Sequence, residues 1–542
     1  MNTPQIQDFA GKRIHMIGIG GSSMSGLAQM LQHLGYQVTG SDQNDGYLMN
    51  DVRQAGAKVT IGHRAENVHG ADLVVYTAAI PLTNPERAEA ERLHIPSMER
   101  AELLGQLMRH YARAIGICGA HGKTTTTSML SEILVECGLD PSVHIGGKLD
   151  AIGGSTRIGH SDIFAAEACE FNRSFLHMHP TMAVVLNIDA DHLDCYKDID
   201  EIEETFGQFL HLLPENGVAI GKGTDERVLR QLSRLNCRTI TFGLTADCDV
   251  HPAALTEDDN GYYTFDLCAQ GNTLAHVKMG VPGRFNVENG LAALTAAWVL
   301  GADMAKAAES LARFTGAHRR FELTGLLNGA EMFHDYGHNP AEMRNAVAIA
   351  RKRCKGTLYA VMQPHTFDRV KHLFNDYLTC TEAADVTVVM DIFSAREKRE
   401  NYPDLDSGKL VAGMQAHGLN AVWTPSFDDT EAYLRAHLKP GDLAITMGCG
   451  DVNLLSRLRS MRKADDKPIN QRQNGANSGL PLFFIVFLCY NKRQSAAKSG
   501  SILLCLRKVS CTCSSILFEQ LIWKRCGRMC VYCAPRCRKK RS

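Results

Sequence analysis

The chain has 542 residues, 44% hydrophobic and 22% charged, which is enough apolar material for several cores and suggests about three to four domains at roughly 150 residues each. The net charge of −1 hides two unlike segments: residues 1–460 carry 41 Lys and Arg against 56 Asp and Glu, a net of −15, and residues 461–542 carry 17 against 3, a net of +14. Of the 18 cysteines, the 10 before residue 461 are scattered singly, usually inside apolar runs, which excludes a disulfide framework and suits reduced core thiols.

No basic stretch followed by an apolar one opens the sequence, and the longest apolar run, 480–490, is too short to span a bilayer. A cytoplasmic enzyme is the expectation. Strand and helix patterns alternate up to residue 460 and predict an α/β protein with largely parallel sheets in three domains. These are an N-terminal Rossmann-like domain over 1–106, a central P-loop ATPase-type parallel sheet over 107–315, and a C-terminal Rossmann-like domain over 316–460.

The first domain begins with an apolar strand at 13–17 that enters a glycine turn, followed by a helix over 24–34, a strand ending at Asp42 and a later strand at 71–77. A pyrophosphate fits such a helix N-terminus, and an acid about twenty residues past the glycines can hold a ribose hydroxyl. Gly18, Gly20, Gly21, Ser25 and Asp42 are the candidate substrate-binding residues. Their spacing is not G-x-G-x-x-G, so a UDP-sugar fits as well as NAD, and a glycine turn needed only for tight packing is the plain alternative.

In the second domain the apolar strand 114–118 runs into Gly119, Ala120, His121, Gly122, Lys123, Thr124 and Thr125, and a helical pattern follows. Strand, glycine turn and helix N-terminus make an anion cradle of free backbone N–H groups at the positive end of a helix dipole. Lys123 adds a point charge for terminal phosphates, and a Thr124 or Thr125 hydroxyl can reach Mg²⁺. The common G-x-x-x-x-G-K-[ST] pattern would need glycine at Ile117, so the turn here is Gly-x-x-Gly-Lys-Thr.

Glu167 and Glu170 follow a strand at 162–166, and Asp189, Asp191, His192 and Asp194 follow another at 182–186. Acids and an imidazole at the C-terminal ends of parallel strands can hold Mg²⁺ beside a triphosphate, although some of these aspartates serve equally well as caps. A less regular, strand-rich stretch covers about 217–280. The segment 283–293 then starts a helix whose amides, Asn286 and Asn289, are placed to recognise a base or ribose, although alone it would be a capped helix and nothing more.

The third domain shows buried strands at 357–362, 385–390 and 442–447. His338, His365 and Arg369 lie in loops after strands and would face the cleft between domains, where an arginine can clamp a carboxylate or phosphate. Beyond residue 461 come a linker pattern and then a basic, Cys-rich tail without sustained periodicity, expected to be disordered or artefactual. Its Cys526, Cys530 and Cys533 have the spacing of a radical-SAM cluster motif, but no barrel pattern follows.

Together these motifs resemble the Mur ligases over about residues 12–460. The resemblance rests on 15–21 with Met24-Ser25-Gly26, on 119–126 and 187–194, on Ala317-His318-Arg319-Arg320-Phe321, on Asp335-Tyr336-Gly337-His338, and on 391–397. Segment 187–194 resembles the branch that adds L-alanine rather than the one that attaches a whole tripeptide. The resemblance implies an ATP- and Mg²⁺-dependent ligase that joins L-alanine to the carboxylate of UDP-N-acetylmuramate through an acyl phosphate, in peptidoglycan precursor synthesis.

It also implies roles. Lys123 and the loop amides would hold the ATP phosphates, with Mg²⁺ near Thr124, Glu170 and His192. His338, His365 and Arg369 would orient alanine and the substrate carboxylate, with His192 and Arg369 touching the acceptor. Asn289, Arg319 and Asp335 would touch ATP. The chain departs from the family at Phe285, where a histidine is frequent, and in a less acidic 167–172 segment that leaves either Glu167 or Glu170 as the metal ligand. The resemblance implies no nucleic-acid or membrane partner, and a monomer or weak homodimer. Three alternatives stand beside it: a Mur-type ligase with a different amino acid or peptide acceptor; an NAD-dependent dehydrogenase, which would leave Lys123 unused; and a nucleic-acid-binding protein led by the basic tail, against which the intact phosphate loop argues.

Overall fold

The computed structural model describes residues 4–191, 195–395 and 397–457. His192, Asp194 and the basic tail, with its three spaced cysteines, lie outside the described residues.

Three sheets follow one another along the chain. The first has order β3-β2-β1-β4-β5 and is parallel throughout, with β1 (Arg13–Ile17), β2 (Gln37–Asp42), β3 (Lys58–Ile61), β4 (Leu73–Tyr76) and β5 (Ser97–Glu99). Its order reverses between β1 and β4, the place where open α/β sheets leave a ligand crevice.

The second sheet contains β6 (Arg113–Cys118), β7 (Ser142–Leu149), β8 (Gly154–Arg157), β9 (Ile163–Glu167), β10 (Met182–Val185), β11 (Val218–Lys222) and β12 (Arg238–Phe242). An antiparallel meander of β13 (Val250–Glu257), β14 (Tyr263–Ala269) and β15 (Asn272–Lys278) extends it at one edge. The order is β15-β14-β13-β12-β11-β10-β6-β9-β7-β8, so the phosphate-loop strand β6 is central, parallel to both β10 and β9.

The third sheet, β16-β17-β21-β18-β19-β20, is built from β16 (Glu322–Leu327), β17 (Ala330–Asp335), β18 (Leu358–Met362), β19 (Val386–Val389), β20 (Ala421–Trp423) and β21 (Leu443–Met447). It is parallel except for the β16/β17 hairpin.

Burial explains why the inner strands read as unbroken apolar runs. In β18, Leu358, Ala360 and Met362 join one core cluster, while Tyr359 and Val361 join the cluster on the opposite face. Helices cover both faces, so neither side of the pleat needs polar residues.

The first two domains share a core. One apolar cluster runs from Ile14, Leu27 and Leu31 through Leu103 and Leu107 to Phe164, Ala183, Phe206 and Phe209. At the seam, helix Ser22–His33 lies so close to the β7/β8 hairpin that a Cβ on Gly26 would strike Thr156 Oγ1. Ser23 Oγ and His144 Nε2 are hydrogen-bonded across the same seam at 2.8 Å. The third domain has clusters of its own.

A buried anion organises the first domain. Glu86 is fully buried and accepts from Ser41 Oγ at 2.5 Å, Asn67 Nδ2 at 2.5 Å and Arg64 N at 3.2 Å, with His15 Nε2 and His63 Nδ1 each at 3.5 Å. Burial works against its charge, but hydrogen bonds from His15, Ser41 and Asn67 outweigh it and hold the carboxyl down to about 2. A depressed acid contributes stability that is present above its unfolded value of about 4.5 and is lost as pH falls toward 2. Glu86→Gln is therefore expected to lose about 3 kcal/mol at pH 7. The gap from the parent should shrink at pH 3 in urea unfolding of both proteins; an equal gap at the two pH values would remove the carboxylate from the account.

Candidate active site

The phosphate loop takes its shape from two glycines. Gly119 (φ +148°) and Gly122 (φ +87°) hold backbone conformations that side chains resist, and a Cβ on Gly122 would run into Asn289 Oδ1. Helix Lys123–Glu136 starts directly after Gly122 with no side-chain cap, so its first N–H groups stay available to an anion. Asn187 locks the turn from β10: its Oδ1 accepts from His121 N at 2.9 Å and its Nδ2 donates to His121 O at 3.1 Å.

Lys123 Nζ donates to Gly119 O at 2.5 Å, Ala120 O at 3.1 Å and Glu170 Oε1 at 2.8 Å. Burial disfavours its charge, yet the nearby Glu170 carboxylate holds the ammonium pKa above its ordinary value. Thr124 Oγ1 donates to Glu167 Oε2 at 3.1 Å, and Glu167 Oε1 accepts from Gly146 N at 2.7 Å. Burial pushes the Glu167 carboxyl up. The two glutamates thus divide the loop between them, Glu170 on the lysine and Glu167 on the threonine. Among the described residues no group of three or more His, Cys, Asp and Glu forms a metal cage. One hydroxyl and two carboxylates are an all-oxygen set that suits Mg²⁺, which is commonly bound by one or two carboxylates plus substrate phosphates.

The loop stands between two cavities. One, of about 340 Å³, is lined by His121, Thr125, Asn286, Asn289, Phe285 and Asp335. The other, of about 1000 Å³, takes in Ala120, Lys123, Thr124, Glu167, His338, His365 and Arg369. Arg320 and Glu342 line both. Neither was singled out from the sequence for a role, and Arg320 was quoted only as part of a motif.

The smaller cavity is mixed in character, with aromatic walls and a few polar groups. Asn289 Nδ2 donates to Asn286 Oδ1 at 3.2 Å, and Asn286 Nδ2 donates to Pro282 O at 2.7 Å. Asp335 accepts from Phe321 N at 2.8 Å and Gly337 N at 2.7 Å, and burial pushes its carboxyl up. The neighbouring arginines part company. Arg319 (φ +64°) turns to His334 Nε2 at 3.0 Å and to the carbonyls of Gly448 and Gly450 at 3.2 and 2.9 Å, bracing the loop after β21.

In the larger cavity, Arg369 Nη1 donates to His365 O at 2.9 Å, and Nη2 donates to Asp191 Oδ1 of the central domain at 3.1 Å. Tyr377 OH pins His338 O at 2.6 Å. His338 Nδ1 lies 3.1 Å from Tyr336 O, an acceptor only, so Nδ1 carries the proton and Nε2 keeps its lone pair. Burial pushes the His338 pKa down, which keeps the ring neutral.

The first-domain residues are placed differently. Asp42 Oδ2 accepts from Gly20 N at 3.0 Å and so ties down the glycine turn. Ser25 is buried, with its hydroxyl on Ser22 O at 3.1 Å. Ser22 lines the larger cavity, whereas Gly18, Gly20, Gly21, Ser25 and Asp42 do not.

Three family models cover most of the chain: the Mur ligase family catalytic domain at residues 13–112, the Mur ligase middle domain at 117–297 and the Mur ligase glutamate ligase domain at 319–450. The chain is 44% identical over 441 residues to a UDP-N-acetylmuramate--L-alanine ligase of Clostridium beijerinckii, covering 81% of this chain and 96% of the relative. It is 43% identical over 442 residues to the enzyme of that name from Acetivibrio thermocellus, covering 81% and 94%. Among solved structures it shares the fold of a UDP-N-acetylmuramate-alanine ligase of Thermotoga maritima (TM-score 0.69, 23% identity, 82% of this chain and 97% of that one). It also shares the fold of a murein peptide ligase of Psychrobacter arcticus (TM-score 0.64, 23% identity, 82% and 97%). No helix among the described residues is long and apolar enough to cross a membrane.

Proposed function

Because the chain belongs to the Mur ligase family, we propose that it joins L-alanine to the carboxylate of UDP-N-acetylmuramate, with ATP as the phosphoryl donor and Mg²⁺ as its companion ion. One observation carries the reading: Lys123 and Thr124 open onto the same cavity that receives His338, His365 and Arg369 from the third domain. An activated carboxylate and an incoming amine meet there.

The smaller cavity takes the nucleotide, with Asn286, Asn289, Arg320 and Asp335 around it. Lys123 exchanges Glu170 and the loop carbonyls for the terminal phosphates. Thr124, Glu167 and Glu170 would hold Mg²⁺, which neutralises phosphate charge when bound. A carboxylate is a poor electrophile until it is phosphorylated, so the muramate carboxylate first takes the γ-phosphoryl group to give an acyl phosphate. The alanine amine then adds to that carbonyl and phosphate leaves. Arg369 clamps the alanine carboxylate or the acceptor, and neutral His338 offers Nε2 to the proton that the amine must shed. The acyl phosphate has to be kept from water, which places the third domain as the cover over the second. In the first domain, the uncapped start of helix Ser22–His33 would receive the UDP pyrophosphate.

Phosphate and amide are to be measured together with ATP, Mg²⁺ and UDP-N-acetylmuramate against L-alanine, glycine, L-serine and a tripeptide. Amide with L-alanine is expected, and release with none of the four would sink the reading. Discrimination by one methyl group is worth about 1–3 kcal/mol, so glycine is expected to work at about 10- to 100-fold lower kcat/KM. Amide with the tripeptide alone would move the chain to the branch with a peptide acceptor. Truncation after Ser460 is expected to leave kcat within about 2-fold, since the family models end at residue 450.

A further inference from the structure

Two third-domain side chains reach the phosphate loop itself: Asn339 Nδ2 lies 3.4 Å from His121 Nδ1, and the Glu342 carboxylate approaches the same ring. Glu342 stands in the first turn of helix Pro340–Arg353, whose N-cap is Asn339. Its Oε2 accepts from His338 N at 3.1 Å, and its Oε1 lies 3.4 Å from His121 Nδ1. The other nitrogen of His121, Nε2, lies 3.5 Å from Asp189 Oδ2. The imidazole is therefore bracketed by carboxylates from two domains. Burial disfavours its charge, but Asp189 and Glu342 outweigh it and raise the His121 pKa to about 10. Glu342 is also one of the two side chains that line both cavities.

We propose that Glu342 is a positioning residue that docks the third domain onto the phosphate loop through His121, so that His338 and the loop come into register only on closure. The proposal rests on the ligase reading for its chemistry but not for its geometry. A single carboxylate holds the backbone of His338 with one oxygen and the loop imidazole with the other. Opening the cleft would leave two charges to rehydrate separately. The contact lies only partly in solvent, with 24% and 18% of the two side chains exposed, so its attraction is not screened away. Arg369 and Asp191 make a second bridge between the same domains.

The test compares the full chain with Glu342→Gln, His121→Asn and the double variant. Glutamine keeps an acceptor for His338 N while removing the charge that faces His121, so the helix start survives. Each single change is expected to lower kcat about 10- to 100-fold, with KM for ATP within about 3-fold, and the double variant should be no worse than the poorer single one. The share of phosphate released without amide should rise, because water reaches the acyl phosphate of an incompletely closed site, adds to its carbonyl and expels phosphate. Glu342→Asp should recover part of kcat. Independently of any acceptor, small-angle scattering with ATP and Mg²⁺ should give a larger radius of gyration for Glu342→Gln than for the parent. Coincident scattering profiles, losses that multiply in the double variant, or a change confined to KM for ATP would each overturn the proposal. A parent that forms no amide while the scattering difference stands would overturn the ligase reading instead.

Discussion

Lys123→Met is expected to lower the rate of phosphate release by about 1000-fold or more, close to 4 kcal/mol of lost transition-state stabilisation. Methionine matches the length of lysine but carries no charge and donates no hydrogen bond. The ammonium it replaces is held at the loop by two backbone carbonyls and by Glu170, whose side chain is only 2% exposed. Phosphoryl transfer offers a protein little to do except position groups and neutralise charge, so removing the loop's lysine ammonium takes away most of that contribution. Lys123→Arg is no remedy, because a planar fork cannot follow a narrow turn built for a point charge. Steady-state phosphate release, with ATP affinity from calorimetry, checks this. Retention of more than about a tenth of the parental rate would take the loop out of the chemistry.

The second large effect is expected at Arg369. Arg369→Ala should lower kcat/KM for the amino acid by about 100-fold while leaving KM for ATP within a few-fold. The guanidinium spans three groups, the carbonyl and ring of His365 and the Asp191 carboxylate, with 12% and 9% of the ion-paired side chains exposed. Burial disfavours its charge, but Asp191 holds its pKa above the ordinary value. Removing a buried partner of this kind also costs about 3–5 kcal/mol of pairing between domains. Arg369→Lys should recover little, since one ammonium cannot satisfy both directions at once. Amino-acid saturation curves at fixed ATP give the answer, and an effect seen only in KM for ATP would move Arg369 out of the acceptor cavity.

The sheets were legible where burial is symmetric. Strands such as β6, β10, β18 and β21 are largely apolar along their length because helices cover both faces, and Gly119 and Gly448 follow directly on β6 and β21. The hairpin strand β16 was not legible: Glu322–Leu327 is mostly half-exposed and contains Gly325 at φ +153°, so it shows no run and no clean alternation.

At the site, the residue types stood out but their division of labour did not. Adjacent arginines cannot be told apart by sequence. A left-handed backbone at Arg319 sends one to the β21 loop and leaves the other, Arg320, between the cavities. Ser25 follows the glycine turn in the first helix and reads as a substrate-binding candidate, yet the phase of that helix buries it. Glu342 reads as an ordinary first-turn acid. Only a contact across 221 positions of chain gives it another meaning.

One feature of the core bears on how the domains can move. The first domain and the phosphate-loop domain are fused by a continuous apolar cluster and by the close approach at Gly26, so a change in one at the seam is felt in the other. The third domain keeps its own clusters and meets the second through polar contacts that include His121 with Glu342, Asp191 with Arg369, Glu257 with Lys352, and His318 with Asp150 and the Lys148 carbonyl. A handful of polar pairs, the Asp191–Arg369 pair largely buried, is a far smaller set than a shared core. Movement of the third domain against the second therefore breaks polar contacts before it exposes either apolar core.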